Sequence, residues 1–172
     1  GLHTGLDDID RHLGGLCGST LTVIAARPSI GKTALGVQMA LHAARSVPVV
    51  YVTCEMSHGQ ITQRCLSQLA NVNLAHLWRG PMGPASHAAV AHAASRLSAL
   101  PLTIIGDEYD WPRVLSRVRQ LIARGAGLVV FDYLGLFDYP RHREVWERTG
   151  AITKESKQLA LRYDIPVVML AQ

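Results

Sequence analysis

Short, nearly unbroken apolar runs alternate along this chain with longer stretches in which apolar residues recur every three or four positions. Thr20 to Ala26 (TLTVIAA), Pro48 to Thr53 (PVVYVT), Leu102 to Ile105, Gly127 to Phe131 and Pro166 to Ala171 are the five runs, each of strand length and rich in β-branched residues. Between them lie helical spacings. Gly31 to Arg45 carries Ala34, Leu35, Val37, Met39, Leu41 and Ala44, and Ser57 opens a helix through Asn71 with Ile61, Cys65, Leu66 and Leu69 on one face. Trp111 to Ala123 and Trp146 to Tyr163 are two further helices. Asn71 to Leu100 reads as small helices broken at Gly80, Pro81, Gly83 and Pro84. Apolar strands separated by helices predict an α/β fold, a mostly parallel sheet with helices on both faces. Ligands of such sheets bind outside the carboxyl ends of the strands.

Composition narrows the class. The 172 residues are 48% apolar and 17% charged, with 17 Lys+Arg against 13 Asp+Glu and a net charge of +4. A chain this apolar is not disordered, and one this long can bury a core without a disulfide or metal. No apolar run approaches the roughly 18 residues that span a bilayer. The opening Gly1 to Asp10 carries acids where a signal peptide carries bases, so a cytoplasmic protein with no membrane partner is expected. The charged fraction lies below the usual ~25%. Alanine-rich helices and faces covered by partner subunits both account for it. Cys17, Cys54 and Cys65 show no paired spacing and are expected to be reduced, buried thiols.

The chemistry concentrates at the strand ends. After the first run comes Ala26-Arg27-Pro28-Ser29-Ile30-Gly31-Lys32-Thr33-Ala34, which fits G-x-x-x-x-G-K-[ST] apart from Ala26 in the first glycine position. Strand, loop and helix follow in the order a phosphate loop requires. Gly31 admits close backbone approach, the helix N-terminus offers unpaired N–H groups, Lys32 neutralises phosphate and Thr33 offers a hydroxyl to Mg²⁺. Asp132 ends the run Leu128-Val129-Val130-Phe131, where a carboxylate suits either Mg²⁺ or a turn. Glu55 follows the second run, placed either to activate a water or to complement the dipole of the next helix. Gln172 follows the fifth run, where an amide can bond a γ-phosphate or simply close the chain.

Taken with Glu55-Met56, Phe131-Asp132-Tyr133-Leu134-Gly135-Leu136 and Pro166 to Gln172, the Ala-Arg-Pro-Ser-Ile-Gly-Lys-Thr loop resembles the ATPase domain of bacterial DnaB-type replicative DNA helicases. Thr4-Gly5-Leu6-Asp7-Asp8-Ile9-Asp10 and Gly14-Gly15-Leu16 resemble the opening of that domain, and the alanine at the first glycine position is that family's own variant. The resemblance implies a RecA-like P-loop NTPase core that hydrolyses ATP or another NTP with Mg²⁺ and works as a homo-hexamer on single-stranded DNA. It implies Lys32 and Thr33 as phosphate and metal ligands, Glu55 as catalytic base, Asp132 as the Walker B acid and Gln172 as γ-phosphate sensor. It also implies the strand order that lets them converge, with the last strand between the first and the fourth.

Primase and a helicase loader are the partners implied. A primase-engaging domain before Gly1, and an arginine finger with DNA loops after Gln172, make the chain an expected single domain truncated on its C-terminal side. A RecA-like ATP-binding module without unwinding activity is the alternative. Arg141, His142 and Arg143 form a basic loop, suited to DNA or merely solvated. The histidines lack metal-binding spacing, and Trp78, Trp111 and Trp146 are scattered as packing or interface anchors would be.

Overall fold

Each apolar run becomes a strand of a single parallel sheet. A computed structural model describes residues 1–132, 134–140 and 144–172. Strands β1 (Leu21–Ala25), β2 (Val49–Thr53), β3 (Leu102–Ile105), β4 (Leu128–Asp132) and β5 (Val167–Ala171) lie in the order β1-β5-β4-β2-β3. Every pairing is parallel. The last strand is therefore sandwiched between the first and the fourth, as the resemblance implies, and the carboxyl ends of β1, β5, β4 and β2 sit side by side. The fold is the expected α/β class.

Seven helices accompany the strands among the described residues: α1 (Asp7–Leu13), α2 (Lys32–Ala43), α3 (His58–Ala70), α4 (Leu74–Arg79), α5 (Pro84–Ala99), α6 (Trp111–Ala123) and α7 (Val145–Tyr163). Residue alternation along each strand divides the core in two. Val49, Tyr51, Val130, Val168 and Leu170 face α2 and α3 through Val37, Met39, Ala40 and Ile61. Val50, Val52, Phe131 and Met169 face α6 and α7 through Trp111, Val114, Val118 and Ile152. β2 and β4 are buried along their whole length, which is why both read as unbroken apolar runs. Among the described residues no helix is long and apolar enough to cross a membrane.

The structure adds one helix and corrects one reading. α1 buries no side chain, so no apolar period announces it. Local electrostatics hold it instead: Asp7, Asp8 and Asp10 occupy its first turn, and the Thr4 amide and hydroxyl both donate to Asp10 Oδ1 at 2.8 Å. The Thr4 amide bond holds the Asp10 carboxyl below its usual range, and burial only partly opposes it. Of the three cysteines expected to be buried, Cys54 and Cys65 are, but Cys17 is exposed. It lies in the connection to β1, where no helix covers it.

Candidate nucleotide site

The loop after β1 takes its shape from two left-handed residues, Ser29 (φ 65°) and Gly31 (φ 105°). A Cβ on Gly31 would touch nothing within 4 Å, so its backbone angle, rather than lack of space, calls for glycine there. Gly31 is also the N-cap of α2 and supplies no side-chain cap. The first N–H groups of that helix are therefore left for an external acceptor, the arrangement that suits a phosphate. Lys32 and Thr33 follow at once, each 8% exposed.

A cleft of about 340 Å³ opens over this loop. Arg27, Pro28 and Ser29 line it on one side, and Gly31, Lys32, Thr33 and Ala34 form its floor. Glu55 reaches it from the end of β2 and Gln172 from the end of β5. Ile30, expected among the nucleotide-binding residues, does not line the cleft and is 73% exposed. The expected basic residues Arg141 and Arg143, with His142, lie outside the described residues.

Glu55 owes its position to the turn after β2. The Met56 amide donates to Thr53 Oγ1 at 3.2 Å, and Ser57 then starts α3 with a capping box: Gln60 N donates to Ser57 Oγ while the Ser57 amide donates to Gln60 Oε1. Glu55 thus lies two residues before the cap and outside the first turn of α3. The helix-dipole reading of this residue has no support in that geometry, whereas its exposed carboxylate lines the cleft.

Asp132 is fully buried and does not itself line the cleft. The Tyr51 hydroxyl donates to its Oδ2 at 2.8 Å, while Oδ1 has no hydrogen-bond partner among the described residues. Burial raises the Asp132 pKa. The hydroxyls of Tyr51 and Thr33 and the charge of Lys32 oppose that rise, and the charge of Glu55 adds to it. A buried carboxylate oxygen without a partner is costly unless something fills the gap. With the Thr33 hydroxyl nearby, this hard oxygen pair fits Mg²⁺, which prefers a few protein oxygens and completes its shell with water and phosphate.

Three contributors, Arg64, Gln68 and Tyr51, carry no signal in the sequence reading. Met56 and Arg64 line the cleft, and the Arg64 Nε–H points to Met56 Sδ at 3.2 Å. Gln68 Nε2 donates to the Ala34 carbonyl at 2.8 Å and ties α3 to the loop. Arg64 and Gln68 are four apart on α3, a spacing that marks one polar stripe but not what it faces. Tyr51 is the third, a hydroxyl inside an apolar strand.

Comparison with known proteins gives a consistent picture. The family model described as "DnaB-like helicase C terminal domain" matches residues 1–172. The replicative DNA helicase DnaB of Treponema pallidum is 33% identical over the whole chain, and that of Geobacillus stearothermophilus is 32% identical. The chain spans 40% and 39% of those two proteins. Among solved structures, a DnaB-like replicative helicase described with its interactions with primase superimposes with a TM-score of 0.90 at 22% identity, over 99% of this chain and 43% of that one. A second solved ATPase domain gives 0.91 at 22%, over 99% and 63%, and the RadB recombinase gives 0.60 at 21%, over 99% and 69%.

Proposed function

The chain belongs to the DnaB-like helicase C-terminal domain family, and from that premise we propose that it is the ATP-hydrolysing motor of a replicative DNA helicase. One observation carries the reading: Lys32, Thr33, Glu55 and Gln172, from three separate strand ends, line a single cleft. The nucleotide's phosphates sit on the loop of residues 27–34. Backbone N–H groups at the start of α2 and the Lys32 ammonium neutralise them. Thr33 and Asp132 are the residues that would hold Mg²⁺, which when bound would supply positive charge against the phosphates.

Glu55 takes the proton of the attacking water, since its carboxylate is exposed to the cleft and unattached to α3. Gln172 bonds the γ-phosphate through its amide and reports its loss along β5. That strand lies between β1 and β4 and so touches both the phosphate loop and the metal carboxylate's strand. In the complete protein the domain works as a homo-hexamer drawing single-stranded DNA through its centre, in the cytoplasm, with primase and a loader as partners. The likeness to a DnaB-like replicative helicase described with its interactions with primase supports the primase partnership. The rest of the protein supplies the primase-engaging domain, the arginine finger and further DNA loops. Arg141 and Arg143 add basic charge for phosphate contact.

The test uses the full-length protein. Lys32→Ala should weaken binding of a fluorescent ATP analogue in Mg²⁺ by at least about tenfold and abolish unwinding of a forked DNA. Intact unwinding by that variant would remove the motor from this loop. Tight nucleotide binding with no unwinding by the unaltered protein would favour an ATP-binding module of another kind.

A further inference from the structure

The Tyr51 hydroxyl donates to Asp132 Oδ2, while Asp132 Oδ1 has no hydrogen-bond partner among the described residues. Thr53, the residue directly opposite Asp132 in the β2–β4 ladder, turns its hydroxyl to the Met56 backbone instead. Tyr51 pairs with Val130 and so stands diagonally from Asp132 on the same face of the sheet. Its ring is 1% exposed beneath α2, and its hydroxyl reaches Asp132 Oδ2 at 2.8 Å. Gly36 on α2 leaves the room: a Cβ there would lie 3.3 Å from the Tyr51 oxygen and 3.6 Å from its ring. A phenylalanine would fill this core without a polar atom to satisfy. The hydroxyl is favourable here because it meets a carboxylate at the end of β4.

We infer that Tyr51 is a positioning residue of the metal site, pinning Asp132 Oδ2 so that Oδ1 is the oxygen presented for Mg²⁺. This rests on the reading of Asp132 as the metal carboxylate. Tyr51 is buried and does not line the cleft, so it acts only through Asp132. A carboxylate bonded at one oxygen loses the rotational freedom that a free one must give up on binding a metal. Residues holding a metal ligand in this way commonly change metal affinity by about 10- to 100-fold when removed.

The experiment titrates Mg²⁺ against binding of a fluorescent, slowly hydrolysed ATP analogue to the full-length protein, in Tyr51→Phe, Asp132→Asn and the double variant. Tyr51→Phe should raise the half-saturating Mg²⁺ about tenfold, leave nucleotide affinity without metal unchanged, and add nothing in the Asp132→Asn background. If Asp132→Asn loses the metal dependence while Tyr51→Phe keeps the wild-type midpoint, the positioning role is overturned and the reading of Asp132 stands. If Asp132→Asn keeps the wild-type midpoint, the reading of Asp132 falls and the inference with it. Should Tyr51→Phe not fold, 3-fluorotyrosine placed at position 51 keeps the hydroxyl. Its ¹⁹F resonance should shift when Mg²⁺ joins the nucleotide-bound protein, and an unmoved resonance overturns the inference.

Discussion

Gly36 and Tyr51 occupy one space from two sides: the missing Cβ of the helix residue is what admits the hydroxyl of the strand residue. A methyl group at Gly36 would stand 2.9 Å from Leu170 Cδ1 and 3.3 Å from the Tyr51 oxygen. Both neighbours are buried in the same layer and the tyrosine is tethered to Asp132, so neither moves freely. Alanine in mid-helix gains about 1 kcal/mol over glycine, and overpacking a core costs about 1–3 kcal/mol. The overpacking wins here. Gly36→Ala should lower stability by about 1 kcal/mol in denaturant titration. Adding Tyr51→Phe should recover part of that loss, and the non-additivity of the pair measures their contact.

Glu55 offers a cleaner separation of chemistry from structure. Its carboxylate is exposed in the cleft and precedes the Ser57 cap, so the fold asks little of it. Glu55→Gln in the full-length protein should leave the melting temperature and nucleotide affinity within error and slow hydrolysis by about 10²- to 10⁴-fold, the usual share of a general base. Turnover within a few-fold of wild type would show that another group activates the water.

The five strands are legible as short apolar runs, β2 and β4 because they are buried along their whole length and the partly buried β1 and β3 because they still carry apolar and β-branched residues, and the cleft is legible because its residues stand at strand ends in recognisable order. Glu55 and Gln172 carry no local signature; their convergence depends on the strand order β1-β5-β4-β2, which periodicity cannot supply. α1 leaves no apolar period in the sequence because its stability comes from Thr4 and three acids and not from an apolar face. Arg64 and Tyr51 are not legible in the sequence, because a polar side chain on a helix, or a lone hydroxyl in an apolar strand, acquires meaning only from what faces it.

On the opposite face of the sheet, Glu155 joins α7 to the aromatic core. It accepts from Trp111 Nε1 at 2.6 Å and from the Tyr139 hydroxyl at 2.7 Å. Trp111 is fully buried against Phe131 and Phe137, with ring centroids 5.1 and 5.2 Å away. Its indole N–H therefore has no water to turn to. Glu155→Ala should cost about 2–3 kcal/mol, since a buried donor loses a charged acceptor. Glu155→Gln, which keeps an acceptor oxygen, should cost about half as much. The denaturation midpoint and the near-ultraviolet circular dichroism of Trp111 report both, while nucleotide binding at the carboxyl ends of the strands should be unaffected.

Thiol chemistry should divide the cysteines sharply. Burial pushes the Cys65 thiol up to about 12. Burial, helped by the charges of Asp132 and Glu108, does the same for Cys54, whose Sγ also lies 3.3 Å from the Glu108 carbonyl. Only the thiolate reacts with alkylating agents, so both are protected twice, by exclusion of the reagent and by the absence of thiolate. Cys17 is exposed, so the reagent reaches it. In native protein at pH 8, iodoacetamide followed by peptide mass spectrometry should mark Cys17 and leave Cys54 and Cys65 unmodified until denaturant is added. The same shifts have a sign in stability. An unfolded chain releases these protons near 9 and the folded one near 12, so the unfolded state binds fewer protons across that interval and stability falls as pH rises through it. Labelling of Cys54 and Cys65 should accordingly begin above about pH 9, together with loss of the folded circular dichroism signal and not before it.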